Sequence, residues 1–297
     1  MKRALITGIN GFTGRYVAHE LELAGWEVWG IGSQETSDIT PNYRQVDILD
    51  REALVEVVSE VSAQSIVHLA AMAFVAHNDA DAFYRVNIVG TRNLLSALAA
   101  NSQTPDGVLL ASSANVYGNS TEGVLSETAM PNPANDYAVS KLAMEYMAKL
   151  WMDRLPIVIV RPFNYTGVGQ SESFLLPKIV SHFRRKAEVI KLGNLDVSRD
   201  FSDVRSVAYA YRRLLETKPI GQTVNVCSGK TTSLREVLQL AQQINGHSIE
   251  VQVNPAFVRA TDVKELRGDP SKLTSFIGER NMPSLADTLR WMFNPSP

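Results

Sequence analysis

Two side chains in the stretch NDYAVSKLAMEY, residues 135–146, have types and spacing that permit proton transfer. Tyr137 and Lys141 stand four residues apart, so on a helix they share one face and the ammonium comes within reach of the phenol. A phenol titrates near pH 10 and shuttles protons poorly at neutral pH. A neighbouring cation favours phenolate and would bring the group toward the working range of a general acid. Taken alone, Tyr-x-x-x-Lys is more often a surface tyrosine beside a solvated lysine, so the surroundings decide.

A second constellation lies near the start. LITGINGFTGRYV sets Gly8, Gly11 and Gly14 at three-residue spacing between an apolar run and a segment of helical period. A strand that ends on glycines can turn tightly and let a ligand approach the backbone, while the following helix offers free N–H groups to a pyrophosphate. At a first strand-to-helix junction, dinucleotide binding outweighs an empty glycine turn.

The elements that must position these groups follow from hydrophobic rhythm. RALITG, EVWGIGS, SIVHLAA, GVLLASS and PIVIVRP alternate with helical segments, and near-continuous hydrophobicity is what strands buried on both faces of a parallel sheet require. This predicts an α/β chain with a doubly wound parallel sheet and a smaller C-terminal α/β domain. After Pro162 the rhythm breaks into loops with scattered helices, including SFLLPKIVSHFRRK and RDFSDVRSVAYAYRRLLE; QTVNVCSG reads as a strand returning to the sheet. The tail carries a helix from about Ser233, a strand near IEVQVN and a last helix near SLADTLRWMF. The boundaries are 1–162 plus about 200–228 for a dinucleotide-binding domain, and 163–199 plus 229–297 for a substrate domain.

Composition narrows the function classes. The chain has 297 residues, 45% hydrophobic and 20% charged, with a formal net charge of −2, which argues against binding built on phosphate neutralisation along a nucleic acid or on a membrane surface. Cys227 stands alone, and the five histidines show no metal-ligand spacing, so no metal is expected. The start lacks an apolar signal core and the longest apolar runs are too short to span a bilayer, which predicts a cytoplasmic protein.

The glycine spacing resembles the extended branch of the short-chain dehydrogenase/reductase family. The likeness continues in family order over residues 4–167 through VDILD, VHLAA, YRVNIVGT, ASSANVYG, NDYAVSK and RPFNYTG. It implies a nicotinamide cofactor held by Gly8, Asn10, Gly11, Phe12, Thr13, Gly14, Ser33, Asp47, Ile48, Leu69, Ala70, Ala71 and Asn87, with Tyr137 and Lys141 completing the set. It also implies that Ser113, rather than its neighbour Ser112, holds the substrate oxygen while Tyr137 gives the proton and Lys141 tunes it and orients the nicotinamide ribose. The second strand ends in GIGSQ, without the carboxylate that would bond the ribose 2′-hydroxyl of NADH; Ser33 can donate to a 2′-phosphate, although no arginine stands in the next few residues. NADPH is therefore expected, with NADH possible.

In the second half, LGNLDVSRDFSDVRSV, NVCSG and VRATDVKELRGDPSKL resemble the enzymes of this branch that handle GDP-activated 6-deoxyhexoses. By that resemblance Arg199 and Arg259 grip the diphosphate, Asp262 holds the nucleoside ribose, and Asn164 and Lys178 complete the contacts. Bidentate guanidinium groups suit two phosphate charges. Related 4,6-dehydratases carry a glutamate two residues after their catalytic serine or threonine, where this chain has Asn115, an amide that cannot titrate. The expected reaction is reduction of the C4 ketone of GDP-4-keto-6-deoxy-D-mannose to GDP-D-rhamnose, with Asn115 on a sugar hydroxyl. The alternatives are a nucleotide-sugar 4-epimerase, a GDP-mannose 4,6-dehydratase-like enzyme, and a non-catalytic cofactor-sensing module. The family commonly dimerises through the Tyr137 helix and the helix before the serine-bearing strand, so a homodimer is expected, with Leu142, Met144 and Met147 either in the interface or in the core.

Overall fold

The computed structural model describes residues 2–73, 79–118, 123–255, 264–279 and 281–295. The first half winds β1 (Arg3–Thr7), α1 (Phe12–Leu23), β2 (Glu27–Gly32), β3 (Tyr43–Gln45), α2 (Arg51–Val61), β4 (Ser65–His68), α3 (Ala80–Tyr84), a π-turn over Arg85–Gly90, α4 (Thr91–Ala100) and β5 (Gly107–Ala111). A 3₁₀ turn over Ala114–Tyr117, β6 (Val124–Leu125), α5 (Asp136–Lys149), β7 (Ile157–Pro162) and β8 (Asn164–Thr166) follow. The remainder comprises α6 (Leu175–Arg184), β9 (Val189–Leu192), β10 (Ser198–Asp203), α7 (Val204–Thr217), β11 (Thr223–Val226), β12 (Thr231–Ser233), α8 (Leu234–Asn245), β13 (Glu250–Val253), β14 (Glu265–Gly268), α9 (Ser271–Ile277) and α10 (Leu285–Phe293).

Seven strands form one parallel, Rossmann-like sheet in the order β11-β7-β5-β4-β1-β2-β3. The central β4 and β7 are buried at every residue, which is why their sequences show no polar alternation. The edge strand β3, Tyr-Arg-Gln, has no apolar signature and is not expected from the hydrophobic rhythm; it is held by parallel pairing with β2. Likewise Ser198–Asp203 is a strand rather than the start of a helix, paired with β8, β12 and β14, and its Asp203 caps α7 by accepting from the Arg205 N–H.

Two apolar layers cover the seven-stranded sheet. Val17, Leu21, Tyr211 and Leu214 belong to the α1 and α7 side, and Leu54, Leu94, Leu98 and Met144 to the α2, α4 and α5 side. Met144 is fully buried there, so of the three residues on α5 left between core and interface it is core, because its position on the helix turns it toward the sheet. Leu142 and Met147 are partly buried against the cores. The exposed apolar residues of α5 are instead Val139 and Tyr146, with Leu150 just beyond. A separate core unites α6, α8, α10 and β9 through Phe183, Val237, Leu289 and Ile190. Capping boxes at Ser233/Glu236 and Ser284/Asp287 start α8 and α10. Among the described residues, no helix is long and apolar enough to cross a membrane.

Candidate active site

The glycine turn closes on its neighbours without room for side chains. Gly8 adopts φ +71°, and a Cβ there would meet the Ala70 N at 2.9 Å; one on Gly14 would lie 2.4 Å from the Ile9 O. Gly11 caps α1 without any side-chain bond, so the helix presents its N–H groups to the cleft. That cleft measures about 350 Å³ and is lined by Gly8, Asn10, Gly11, Ser33, Asp47 and Ile48 on one side and Leu69, Ala70 and Ala71 on the other. A larger hollow of about 440 Å³, bordered by Gly169, Pro177, Arg184 and Met292, shares no lining residue with it.

The loop after β2 is pinned through its carbonyls: Gln45 donates to Ser33 O, Tyr43 to Gln34 O and Asn10 Nδ2 to Thr36 O. Asn10 Oδ1 is buried without a protein partner among the described residues. An arginine does reach this loop, from α1 rather than from the segment after β2: Arg15 lies 3.4 Å from Asp38. Thr13 and Phe12 meet Tyr165, the former by a 2.8 Å hydroxyl pair and the latter by ring stacking at 6.1 Å. Asp47 Oδ1 accepts from the Leu49 N–H.

Behind the cleft stands a relay with assigned directions. Thr91 Oγ1 donates to Asn87 O at 2.7 Å, so it accepts from His68 Nε2, and His68 Nδ1 accepts from Thr7 Oγ1 at 2.7 Å. Thr7 in turn accepts from the N–H groups of Leu69 and Ala70, fixing the wall that carries them. Burial keeps the imidazole neutral, its pKa pulled down to about 3, with the Lys141 charge acting the same way. Asn87 exchanges two bonds with the Met72 backbone and donates to Ser140 of α5.

The chemical groups converge at the end of β5. Asn135 caps α5 by accepting from Ala138 N, orienting the helix that carries Tyr137 and Lys141, both buried. Ser113 lies beside the Tyr137 phenol, and its Oγ accepts from the Asn115 N–H at 3.1 Å. Ser112, one residue earlier, points elsewhere and donates to Glu145 at 2.5 Å. Lys141 Nζ donates to Ala111 O at 2.8 Å, and burial draws its pKa down to about 8 against the opposing charge of Glu145. Tyr137 departs from expectation: burial pushes its phenol well above 10, the neighbouring Ser113 hydroxyl pulls it back only in part, and Tyr165 adds to the rise. With both side chains out of water, the cost of a buried phenolate outweighs the pull expected from the ammonium. Asn115, two residues after Ser113, is exposed.

Of the expected sugar-side residues, two lie on another sheet. Asn164 and Arg199 lie on the neighbouring strands β8 and β10, where Asn164 pairs with Phe201. Arg199 donates to Ser198 O, and Lys178 of α6 to Lys191 O. Arg259 and Asp262 lie outside the described residues. Residues that motif reading left without a role, Tyr165 and the Arg161–Glu145 pair, sit against the site; Tyr165 and Arg161 belong to the quoted RPFNYTG, whose order was the available signal.

A dinucleotide fits this donor set: side-chain-free glycines, open helix N–H groups and a buried unpartnered Asn10 oxygen border one cleft. Among the described residues, no cluster of three His, Cys, Asp or Glu could hold a metal.

A family model described as GDP-mannose 4,6 dehydratase matches residues 5–292. The chain is 37% identical to a GDP-6-deoxy-D-talose 4-dehydrogenase of Aggregatibacter actinomycetemcomitans, over 93% of this chain and 91% of that one. It is 32% identical to a GDP-6-deoxy-D-mannose reductase of Pseudomonas aeruginosa, over 97% and 95%. Among solved structures, a provisionally named epimerase from Burkholderia cenocepacia J2315 matches with TM-score 0.94 and 54% identity over 99% and 97% of the two chains. The structure of RMD from Pseudomonas aeruginosa complexed with NADPH matches with TM-score 0.88 and 31% identity over 99% and 98%.

Proposed function

The chain belongs to the GDP-mannose 4,6-dehydratase family of extended short-chain dehydrogenase/reductases and is a nicotinamide-dependent nucleotide-sugar oxidoreductase, and we propose that it reduces the C4 ketone of GDP-4-keto-6-deoxy-D-mannose to GDP-D-rhamnose with NADPH. The observation that carries reduction over dehydration is Asn115. Elimination of water demands an added acid/base two residues after the serine, and this exposed amide cannot titrate. The relatives named as a reductase and a dehydrogenase of GDP-6-deoxyhexoses support the same reading.

When bound, the cofactor supplies the hydride. Ser113 and Tyr137 hold the ketone oxygen, and Tyr137 donates its proton as the oxygen gains charge. A phenol raised by burial is fully protonated at neutral pH, the state a donor needs. Lys141 lends positive charge to the phenolate that remains and holds the nicotinamide ribose. Arg199, Arg259, Asn164 and Lys178 take the GDP diphosphate and base, Asp262 the nucleoside ribose, and Asn115 a sugar hydroxyl. Ser33 and Arg15 favour a 2′-phosphate and hence NADPH. The two-part division remains our reading: residues 1–162 with about 200–228 bind the cofactor, and 163–199 with 229–297 bind the sugar nucleotide. A homodimer through α5 and α4 would cover Val139 and Tyr146, and sedimentation tests it.

The test adds the ketosugar, made from GDP-mannose by a dehydratase, and follows NADPH absorbance with product analysis. NADPH consumption with GDP-D-rhamnose as product is expected. GDP-6-deoxy-D-talose as product would reverse the face of attack, and turnover of a UDP- or dTDP-sugar instead would overturn the nucleotide assignment. The Burkholderia structure's name favours a second reading, a 4-epimerase. Tightly held NAD extracted from purified protein supports that reading; free exchange with added NADPH counts against it.

A further inference from the structure

Five elements in and against the main sheet meet in a buried polar network that the reaction does not itself use. Glu145, two turns along α5 from Tyr137 and one turn from Lys141, has a side chain 2% exposed. Its Oε1 accepts from Ser112 Oγ at 2.5 Å and from Arg161 Nε at 2.9 Å, and its Oε2 accepts from Arg161 Nη2 at 2.6 Å. Arg161 Nη1 then donates to the Tyr117 hydroxyl at 3.0 Å, which donates to Asn225 Oδ1 at 2.7 Å. The partners come from α5, the end of β5, β7, the 3₁₀ turn after Ser113, and β11.

A buried ion pair is a poor source of net stability, since desolvation offsets most of its attraction. What such a pair does well is specify one arrangement. Here the arrangement has two ends: Ser112 adjoins Ser113, and Glu145 shares its helix with Tyr137 and Lys141.

We propose that Glu145, clamped by Arg161 and Ser112, is a positioning residue that locks the Tyr137–Lys141 helix onto the strand end carrying Ser113. Its charge is a second part of the role. The titratable groups that bear on Lys141 are Glu145 on its own helix and His68 on β4, with Arg161 on β7 behind Glu145, and Tyr137 stands one turn before it on the helix. Glu145 is the anion among them and the group that holds the Lys141 pKa up against burial. Removing it leaves Arg161 uncompensated, so Lys141 would lose its proton at lower pH.

This rests on the reductase reading, so the test has an arm that needs no turnover. In Glu145→Gln, kcat for the ketosugar should fall at least about tenfold with its KM nearly unchanged. The alkaline limb of the pH profile should move down by about one pH unit. The double variant Glu145→Leu/Arg161→Met removes both members of the buried ion pair, leaving neither partner's charge unpaired, and should fold, yet its kcat should stay about tenfold low for want of the clamp. Titration of Lys141 by NMR in protein carrying ¹³Cε-lysine, assigned by its loss in Lys141→Met, should show the same downward movement in Glu145→Gln whether or not any sugar is turned over. A double variant with wild-type kcat, or an unmoved Lys141 midpoint in Glu145→Gln, overturns the proposal. Failure of the wild type to reduce the ketosugar overturns the substrate assignment instead, and leaves the NMR arm to decide this one.

Discussion

The cofactor cleft and the chemical end of the site are built from different materials. Around the cleft the walls are largely backbone: the glycines at 8, 11 and 14, the carbonyl-pinned loop after β2, and Leu69 and Ala70 held by Thr7. At the end of β5 the same short space is filled by side chains, namely Ser113, Tyr137 and Lys141, with Lys141 fixed to the Ala111 O of β5. A backbone-built site fails when something is added. A side-chain-built site fails when something is taken away.

That contrast makes its own tests. Tyr137→Phe removes one oxygen from the side-chain end and should lower kcat by roughly 10²–10⁴-fold while NADPH binding, followed by fluorescence, stays close to wild type. Unchanged turnover would remove Tyr137 from the acid role. On the sugar side, Arg199→Ala should raise KM for the GDP-ketosugar by about tenfold to a hundredfold with kcat little changed, because a charge-assisted bond to phosphate contributes roughly 1.5–3 kcal/mol.

Adding a methyl to the backbone-built half should invert the pattern. In Gly14→Ala the new Cβ falls 2.4 Å from the Ile9 O, and relieving that overlap costs about 1–3 kcal/mol, so NADPH affinity should drop roughly tenfold or more. A variant that binds NADPH normally would show that the turn has slack the geometry does not reveal. Ser33→Asp is milder. It places a carboxylate where a 2′-phosphate is expected and should shift the ratio of kcat/KM toward NADH by several-fold to about tenfold, read by paired assays with the two cofactors.

The smallest effect is one of pH. Lys141 is needed in its charged form and its pKa lies at about 8, so kcat/KM should decline as pH rises through that value. A flat profile to pH 10 would mean that the ammonium is held more firmly than its burial implies.

The two halves were also unequally legible. The glycine turn could be read outright, because strand, glycine spacing and helix are consecutive and local geometry dictates what they form. The fully buried strands β4 and β7 announced themselves through unbroken hydrophobicity. Strands β3 and β10 did not, since Tyr-Arg-Gln and Ser-Arg-Asp-Phe-Ser-Asp are extended through pairing with neighbours rather than through any pattern of their own. Met144 stayed undecided between core and interface until α5 was seen against the sheet.

By itself the sequence determined the order of parts: a glycine turn, a strand ending in two serines, a helix with tyrosine and lysine one turn apart, and an amide where a dehydratase needs an acid. These depend on neighbours a few residues away, and spacing along the chain sets them. Only the tertiary structure decided that Ser112 meets Glu145, and it reversed the expected direction of the Tyr137 pKa. Those outcomes depend on groups 24 to 33 residues apart brought together out of water, and neither contact nor burial at that range is written in local spacing.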